Sequence, residues 1–336
     1  MFTPRYSITP QLLTNLQEIE RLYGRLEATQ APQNLLLNLE RDNLIQSTFA
    51  SNSIEGNPLS QTEVTNLLLG DRTPTNRDEK EVTNYFNILK TLSNMQAEDF
   101  SNNLMLDMHR DLMTGVADEI KGQIRSQKIV VGKYDTNGQI IIKHDPPYHD
   151  SASIISALSD MNVWINTASD SPVLKAGIFH HQFVYIHPFA DGNGRTCRLL
   201  TALVLLKHNY LINKYFVLDD YYDIDRISYS DSLHSADNGD KTHWLEYFTE
   251  GIKYSLESSL GKIQSGLAKL TFDIRPSQRE QDVLRIIQNQ KEINSADLVK
   301  ELSISRQQAF NLLKSLVEKG FLIKKGSTKS SFYVLK

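Results

Sequence analysis

The chain has 336 residues, with 36 Lys and Arg against 40 Asp and Glu, a formal net charge of −4 and a pI near 6.2. That length can bury one large core and a small second one, and the charge balance excludes a global field that would draw nucleic acid or an anionic membrane. A single cysteine, Cys197, excludes an internal disulfide and a multi-cysteine zinc site.

Leu12, Leu13, Leu16, Ile19, Leu22, Tyr23 and Leu26 recur at three- and four-residue steps, predicting an amphipathic helix over residues 9 to about 30. Ala31-Pro32-Gln33 breaks it. Helical spacing resumes over 35–50, and Gly56-Asn57-Pro58 is a firm stop, which puts Ser51 to Glu55 in a last helical turn. Helical patterns follow over 76–95, 103–114, 152–168 and 172–185, so the body reads as mainly α. Two β-rich runs, 127–132 and 139–143, joined through Asp135-Thr136-Asn137-Gly138, predict a hairpin beside that helical core. Beyond Pro276 the composition changes: residues 276–336 carry 11 Lys and Arg against 6 Asp and Glu, a net of +5. A domain boundary belongs there. The start lacks a basic segment followed by an apolar run, and no stretch approaches the roughly 20 apolar residues of a membrane span. A cytoplasmic protein with no membrane association is expected.

The chemistry is concentrated in His187-Pro-Phe-Ala-Asp-Gly-Asn-Gly-Arg-Thr-Cys-Arg198, between two helical patterns. A Gly-Asn-Gly turn opening a helix aims unpaired backbone N–H groups at one point, where the helix dipole also favours an anion. Arg195 and Arg198, three apart, fall on one face of the new helix, within reach of phosphate oxygens. Asp191 offers a hard oxygen ligand for Mg²⁺, and His187 stands at the loop entrance as a general base. Each piece alone has an ordinary structural reading: a loop histidine, a turn, a solvated arginine pair. Their order within twelve residues points to nucleotide chemistry.

The whole string resembles the motif of the Fic (Fido) family, His-Pro-Phe-x-[Asp/Glu]-Gly-Asn-Gly-Arg-x-x-Arg, with every defined position filled. The likeness extends over about residues 50–255 and includes Ala176-x-x-x-His180-x-x-Phe183-x-x-Ile186 and Gly122-Gln-Ile-Arg125. It implies a Fic-fold helical bundle and a protein adenylyltransferase that uses ATP and Mg²⁺ to place AMP on a Ser, Thr or Tyr hydroxyl of a target protein, itself included. His187 would take the hydroxyl proton, Asp191 hold the metal, Gly192, Asn193 and Gly194 form the anion hole, and Arg195 and Arg198 bind the outer phosphates. The hairpin, with Val130, Val131 and Gly132, resembles the family's flap, which docks the target by strand addition. Tyr229 and Asn238 lie in a segment resembling the adenine side, although a core tyrosine reads as well there.

Ser51-Asn-Ser-Ile-Glu55-Gly-Asn57 resembles the family's inhibitory pattern, in which Glu55 pairs with Arg198 and competes with the γ-phosphate, Ser51 lying one turn before it. In some such enzymes the same glutamate supports removal of AMP. The expected organisation is therefore an N-terminal helical region over 1–100 with the inhibitory helix at about 44–56, a catalytic core over 101–255, a connecting helix over 256–275 and a small domain over 276–336. That last domain, with helical patterns over 279–289, 295–301 and 305–320 and then a short hairpin, resembles a winged helix-turn-helix. Arg306-Gln307-Gln308 and a wing with Lys324, Lys325 and Lys329 suit DNA contact, whereas a modest +5 suits protein docking or homodimerisation equally. Two other functions stay open: a transcription regulator whose Fic-like body only senses a nucleotide, and a Fic enzyme that moves a different phosphate-containing group.

Overall fold

The computed structural model describes residues 2–70, 72–134, 140–274, 276–326 and 331–335; the expected hairpin turn at 135–138, with Gln139, and the wing residue Lys329 lie outside them. The chain divides into two compact units, Met1–Ile263 and Gln264–Lys336, inside a long helix and ahead of the change in charge at Pro276.

In the first unit, α1 (Pro10–Ala28) starts where the Thr9 hydroxyl accepts from the Leu12 amide at 3.1 Å and Pro10 fills the first helical position, where no amide donor is needed. It buries Leu12, Ile19, Leu22 and Leu26. Helix α2 (Gln33–Ile54) ends at Glu55 and buries polar residues, Ser47, Thr48, Ser51 and Asn52, which demands polar partners opposite. The short α3 (Gln61–Leu69) follows, opened by a capping box between Ser60 and Glu63. Then come α4 (Arg77–Thr91), continued by a 3-10 turn over Leu92–Met95, and α5 (Asn102–Met113).

Strands β1 (Val131–Tyr134) and β2 (Ile140–His144) pair antiparallel, with a register slip between Val131 and Gly132. The first strand begins later than its β-rich composition suggests. The Gln127 carbonyl is held at 2.8 Å by Arg125 Nη1 instead of joining the ladder.

Helices α6 (Ser151–Thr167), α7 (Pro172–Ile186) and α8 (Asn193–Lys207) follow. The last two are buried nearly all round and form the centre of the unit, α8 packing on α2, α4, α5 and α7. Phe179, Phe183, Ile186, Leu199 and Leu203 have no exposed surface, each contributing about 1.5–3 kcal/mol of burial. Helices α9 (Asp219–Ile224), α10 (Arg226–Ser235) and the long α11 (Thr242–Ile274) as far as Ile263 complete the unit.

The second unit holds α12 (Gln278–Gln290), β3 (Glu292–Ile293), α13 (Ser295–Leu302), α14 (Arg306–Glu318), β4 (Leu322–Lys325) and β5 (Phe332–Leu335), the strands ordered β3-β5-β4. Val283, Ile287, Leu298, Leu313, Leu316 and Tyr333 form its own core, and Glu280 is clamped by Lys319 at 2.8 Å. This is a winged helix-turn-helix, so the fold is mainly α with a hairpin and a small C-terminal winged module. Among the described residues no helix is long and apolar enough to cross a membrane.

Candidate active site

Three residues shape the join between α7 and α8. His187 closes α7 in the left-handed region (φ 52°, ψ 63°), its amide donating to the Phe183 carbonyl at 3.0 Å. Gly192, at φ 75°, is the N-cap of α8; any side chain there is strained, and a Cβ would lie 2.9 Å from Met113 Sδ. Asn193 ties the loop together, its Oδ1 accepting from the Phe189 amide at 2.9 Å and its Nδ2 donating to the Phe189 carbonyl at 2.8 Å. The helix therefore begins at Asn193, inside the Gly-Asn-Gly turn. The amides of Asn193, Gly194 and Arg195 occupy its first turn, where an α-helix supplies no internal acceptor.

Both arginines of the motif are buried, at 3% and 4% exposure for Arg195 and Arg198. Arg198 donates from Nε to Ser51 Oγ at 2.6 Å, and from Nη2 to the Ser51 carbonyl and to Glu55 Oε1, both at 2.8 Å; Asp219 Oδ1 lies 3.6 Å from its Nε. Burial opposes the charge on this guanidinium, but Glu55, Tyr229 and Asp219 outweigh it and raise its pKa above the ordinary range. Arg195 is less well served. Glu81 Oε2 is 3.3 Å from its Nη1 and Asp191 Oδ1 is 3.9 Å from its Nη2, yet Nε and Nη1 have no hydrogen-bond acceptor among the described residues. Each unmet buried donor costs about 1–3 kcal/mol, more on a charged group, and an anion's oxygens would remove that cost.

The same Glu55 oxygen that holds Arg198 lies against Gly194, where a Cβ would overlap it. A carboxylate thus sits over the first turn of α8, where a phosphate oxygen would find both backbone amides and a guanidinium.

Asp191 is exposed. Its Oδ1 accepts from the Gly192 amide at 2.6 Å, and its Oδ2 lies 3.3 Å from Arg77 Nη2. Its backbone carbonyl accepts from His109 Nε2 at 3.0 Å, while His109 Nδ1 accepts from the Gly122 amide at 3.0 Å. That pairing assigns a neutral His109, in keeping with a pKa lowered to about 4 by burial, and its ring stacks on Phe189 at 3.7 Å.

His187 is half-buried, and its Nδ1 lies 3.2 Å from the Val184 carbonyl, which assigns the proton to Nδ1 and leaves Nε2 as the acceptor. Burial, and after it His144, lower its pKa to about 4. The buried Arg125 fixes the loop entrance: its Nε donates to the His187 carbonyl at 2.6 Å, its Nη2 to the Tyr148 carbonyl at 2.7 Å, and its amide to the Pro188 carbonyl at 3.0 Å.

Tyr229 lies in an aromatic core, its ring stacked on Tyr222 at 4.3 Å and its hydroxyl 2.8 Å from His180 Nε2. Asn238 is exposed at a 3-10 turn, its Oδ1 accepting from the Asp240 amide at 2.8 Å. In the hairpin, Val130 precedes the first strand, Val131 and Gly132 flank the register slip, and Val130, Ile141 and Ile142 expose apolar surface.

The family model for Fic/DOC proteins matches residues 99–205, which include the whole of this constellation except α2, Glu81 and Arg77 on α4, and the residues beyond 205. Residues 99–205 form a Fic/DOC domain. A second family model, for MarR proteins, matches 276–329. The chain is similar to the protein adenylyltransferase fic-1 of Caenorhabditis briggsae, 25% identical over 272 residues covering 77% of this chain and 49% of the relative. It is likewise similar to fic-1 of Caenorhabditis elegans, 26% identical over 291 residues covering 80% and 52%. The chain thus spans about half the length of these curated relatives. A solved Fic family protein from Desulfovibrio desulfuricans aligns over 100% of this chain and 98% of its own, at 25% identity with a TM-score of 0.69.

Several residues around the Fic motif carry no signal in the sequence. Asp219, reached by the Ser47 hydroxyl, is a second carboxylate on Arg198; Glu81 and Arg77 face Arg195 and Asp191 from α4; His109 pins the Asp191 carbonyl. These come from distant parts of the chain, and a single acid or histidine on a helix looks like an ordinary surface or core residue.

Proposed function

We propose that this chain is a protein adenylyltransferase that transfers AMP from ATP to a Ser, Thr or Tyr hydroxyl of a target protein and is restrained by its own Glu55. The observation that carries this reading is the buried Arg195, whose Nε and Nη1 have no hydrogen-bond acceptor among the described residues, beside the first turn of α8. Phosphate oxygens supply what those donors lack. Arg195 and Arg198 take the outer phosphates, and the Gly192-Asn193-Gly194 backbone cradles the charge that develops on the transferred group. The carboxylate of Asp191, exposed beside Arg195, fits as the hard oxygen ligand of Mg²⁺, which would neutralise phosphate charge.

His187, neutral above a pKa of about 4, accepts the target hydroxyl's proton at Nε2. As that proton leaves, the hydroxyl oxygen bonds to the α-phosphorus, and the bond from phosphorus to the bridging oxygen breaks to release pyrophosphate. The exposed edge of the β1–β2 hairpin at Val130, Val131 and Gly132 docks the target as an added strand. Tyr229 and Asn238 are assigned to the base side by the family likeness alone.

Glu55 restrains the reaction because its Oε1 both holds Arg198 and lies over Gly194. The same carboxylate is a candidate base for removing AMP from modified target. Incubating the full chain with Mg²⁺ and ATP labelled at the α-phosphate tests the reading. Label on protein with the adduct mass of AMP supports it; a chain that only senses nucleotide transfers none.

A second reading concerns residues 276–336 alone and rests on the MarR match together with the exposed Arg306 and Gln307 at the start of α14. In that reading α14 enters a DNA major groove, and salt-dependent anisotropy of a labelled duplex tests it.

A further inference from the structure

Three imidazoles converge on one carboxylate where the second hairpin strand ends. Asp237, in the 3-10 turn Ala236–Asn238, places Oδ2 2.8 Å from His144 Nδ1 and 3.1 Å from His234 Nδ1, and Oδ1 2.9 Å from His181 Nε2. Proton accounting separates the three. Lys241 Nζ, a donor, lies 2.6 Å from His181 Nδ1, so His181 carries its proton on Nε2 and donates it to Asp237. His144 differs. Its Nε2 is 3.1 Å from the Tyr185 carbonyl, which can only accept, so the proton is on Nε2. A neutral His144 then turns its Nδ1 lone pair toward Asp237 Oδ2, acceptor against acceptor, at 3% exposure. A cation shared between the two atoms removes that conflict.

The geometry points to a divalent transition-metal site of the zinc class, with His144 Nδ1, His234 Nδ1 and Asp237 Oδ2 as its protein ligands. These three atoms lie within 4.8 Å of one another. Donors about 2.0–2.1 Å from a tetrahedral zinc stand roughly 3.3 Å apart, so modest side-chain shifts seat the ion. The surrounding hydrogen bonds are already in place: His144 Nε2 donates to the Tyr185 carbonyl, and His181 donates to the other oxygen of Asp237. Such bonds orient the imidazole and carboxylate ligands of a metal. Two nitrogens and one carboxylate oxygen suit zinc and its neighbours rather than Mg²⁺, which takes oxygens, so this site is separate from the one assigned to Asp191.

His144 is the last residue of β2, whereas His234 and Asp237 belong to α10 and the turn after it. The ion therefore ties the end of the hairpin to α10, and the Lys143–Asp231 ion pair at 2.9 Å crosses the same seam. The rings of His144 and His187 are 6.1 Å apart, so the tie lies beside the proposed base. The inference uses none of the phosphate-binding residues and stands whether or not AMP is transferred.

Chelator-treated full chain titrated at neutral pH with Co²⁺ alone provides the test. The expected result is one equivalent bound with the visible d–d absorption of a tetrahedral site, displaced by one equivalent of Zn²⁺. His234→Ala should weaken Co²⁺ binding by more than about 10²-fold, whereas His243→Ala, an exposed histidine elsewhere, should not. Absence of one-equivalent uptake by the unmutated chain overturns the proposal, as does undiminished uptake by both His234→Ala and His144→Ala. His144 would then be an imidazolium paired with Asp237.

Discussion

Replacing Glu55 by Gly releases Arg198 without dislodging it. The guanidinium keeps its bonds to Ser51 Oγ at 2.6 Å and the Ser51 carbonyl at 2.8 Å, and retains Asp219 at 3.6 Å as a counter-charge, so the buried cation is not stranded. What is lost is the 2.8 Å bond from Nη2 to Glu55. A hydrogen bond to a charged group contributes about 1.5–3 kcal/mol, and the side chain of Glu55 is 34% exposed, which favours the lower half of that range. An incoming γ-phosphate no longer displaces that bond, which corresponds to about 10- to 40-fold in the productive binding of ATP. The stability lost with that bond is partly offset, because a carboxylate at the C-terminal end of α2 opposes the helix dipole and glycine is well tolerated there. The assay is the initial rate of auto-modification with α-labelled ATP, with removal timed separately on pre-labelled protein in excess unlabelled ATP. Addition should rise by about tenfold or more. A folded Glu55→Gly chain with wild-type rates in both directions refutes the restraint.

His187→Ala should retain ATP binding and lose about 10² or more in transfer, the scale for removing a positioned base; near-normal transfer would remove His187 from that role. Burial lowers the His187 pKa to about 4, so its base form predominates above that value. The limb of the pH–rate profile due to this group should therefore be flat from neutrality to about pH 5 and fall only near pH 4, and a midpoint near 6.5 contradicts the burial argument. Asn193→Ala removes both bonds to Phe189 and should lower transfer together with ATP affinity, by about tenfold or more, through the loop's shape; calorimetry with ATP checks it. A chain ending at Pro276 should still transfer AMP, because the residues assigned to the reaction lie before it. Loss of transfer in that folded truncation would show the winged module to be required.

The loop from His187 to Arg198 was legible as a candidate site because its parts are consecutive: a helix N-terminus, two arginines on one face and a histidine before a proline need no tertiary information. Glu55 was legible for a similar reason, since Ser51 and Glu55 are one turn apart at the end of a helix stopped by Gly56. The partners were not. Asp219, Glu81, Arg77 and His109 meet the motif across long sequence separations, and nothing local distinguishes them from neighbouring acids, arginines and histidines. Asn193 illustrates a different limit: the motif points to its backbone as part of an anion hole and gives no sign that its side chain is spent on Phe189, which sets the start of α8 at Asn193 itself. Helix α3 did carry a local signal, Ser60-x-x-Glu63, the capping box that the structure displays in full. The two-residue β3 had none, since so short a strand exists only through its pairing with β5.

AMP transfer is read out by intact-mass analysis of Glu55→Gly protein after incubation with Mg²⁺ and ATP, in parallel with label at the α- or the γ-phosphate. An AMP-transferring enzyme gains the adduct mass of AMP, retains the α-label and leaves the γ-label in pyrophosphate. Retention of the γ-label, or no added mass on the chain or on protein in a lysate, contradicts the assignment.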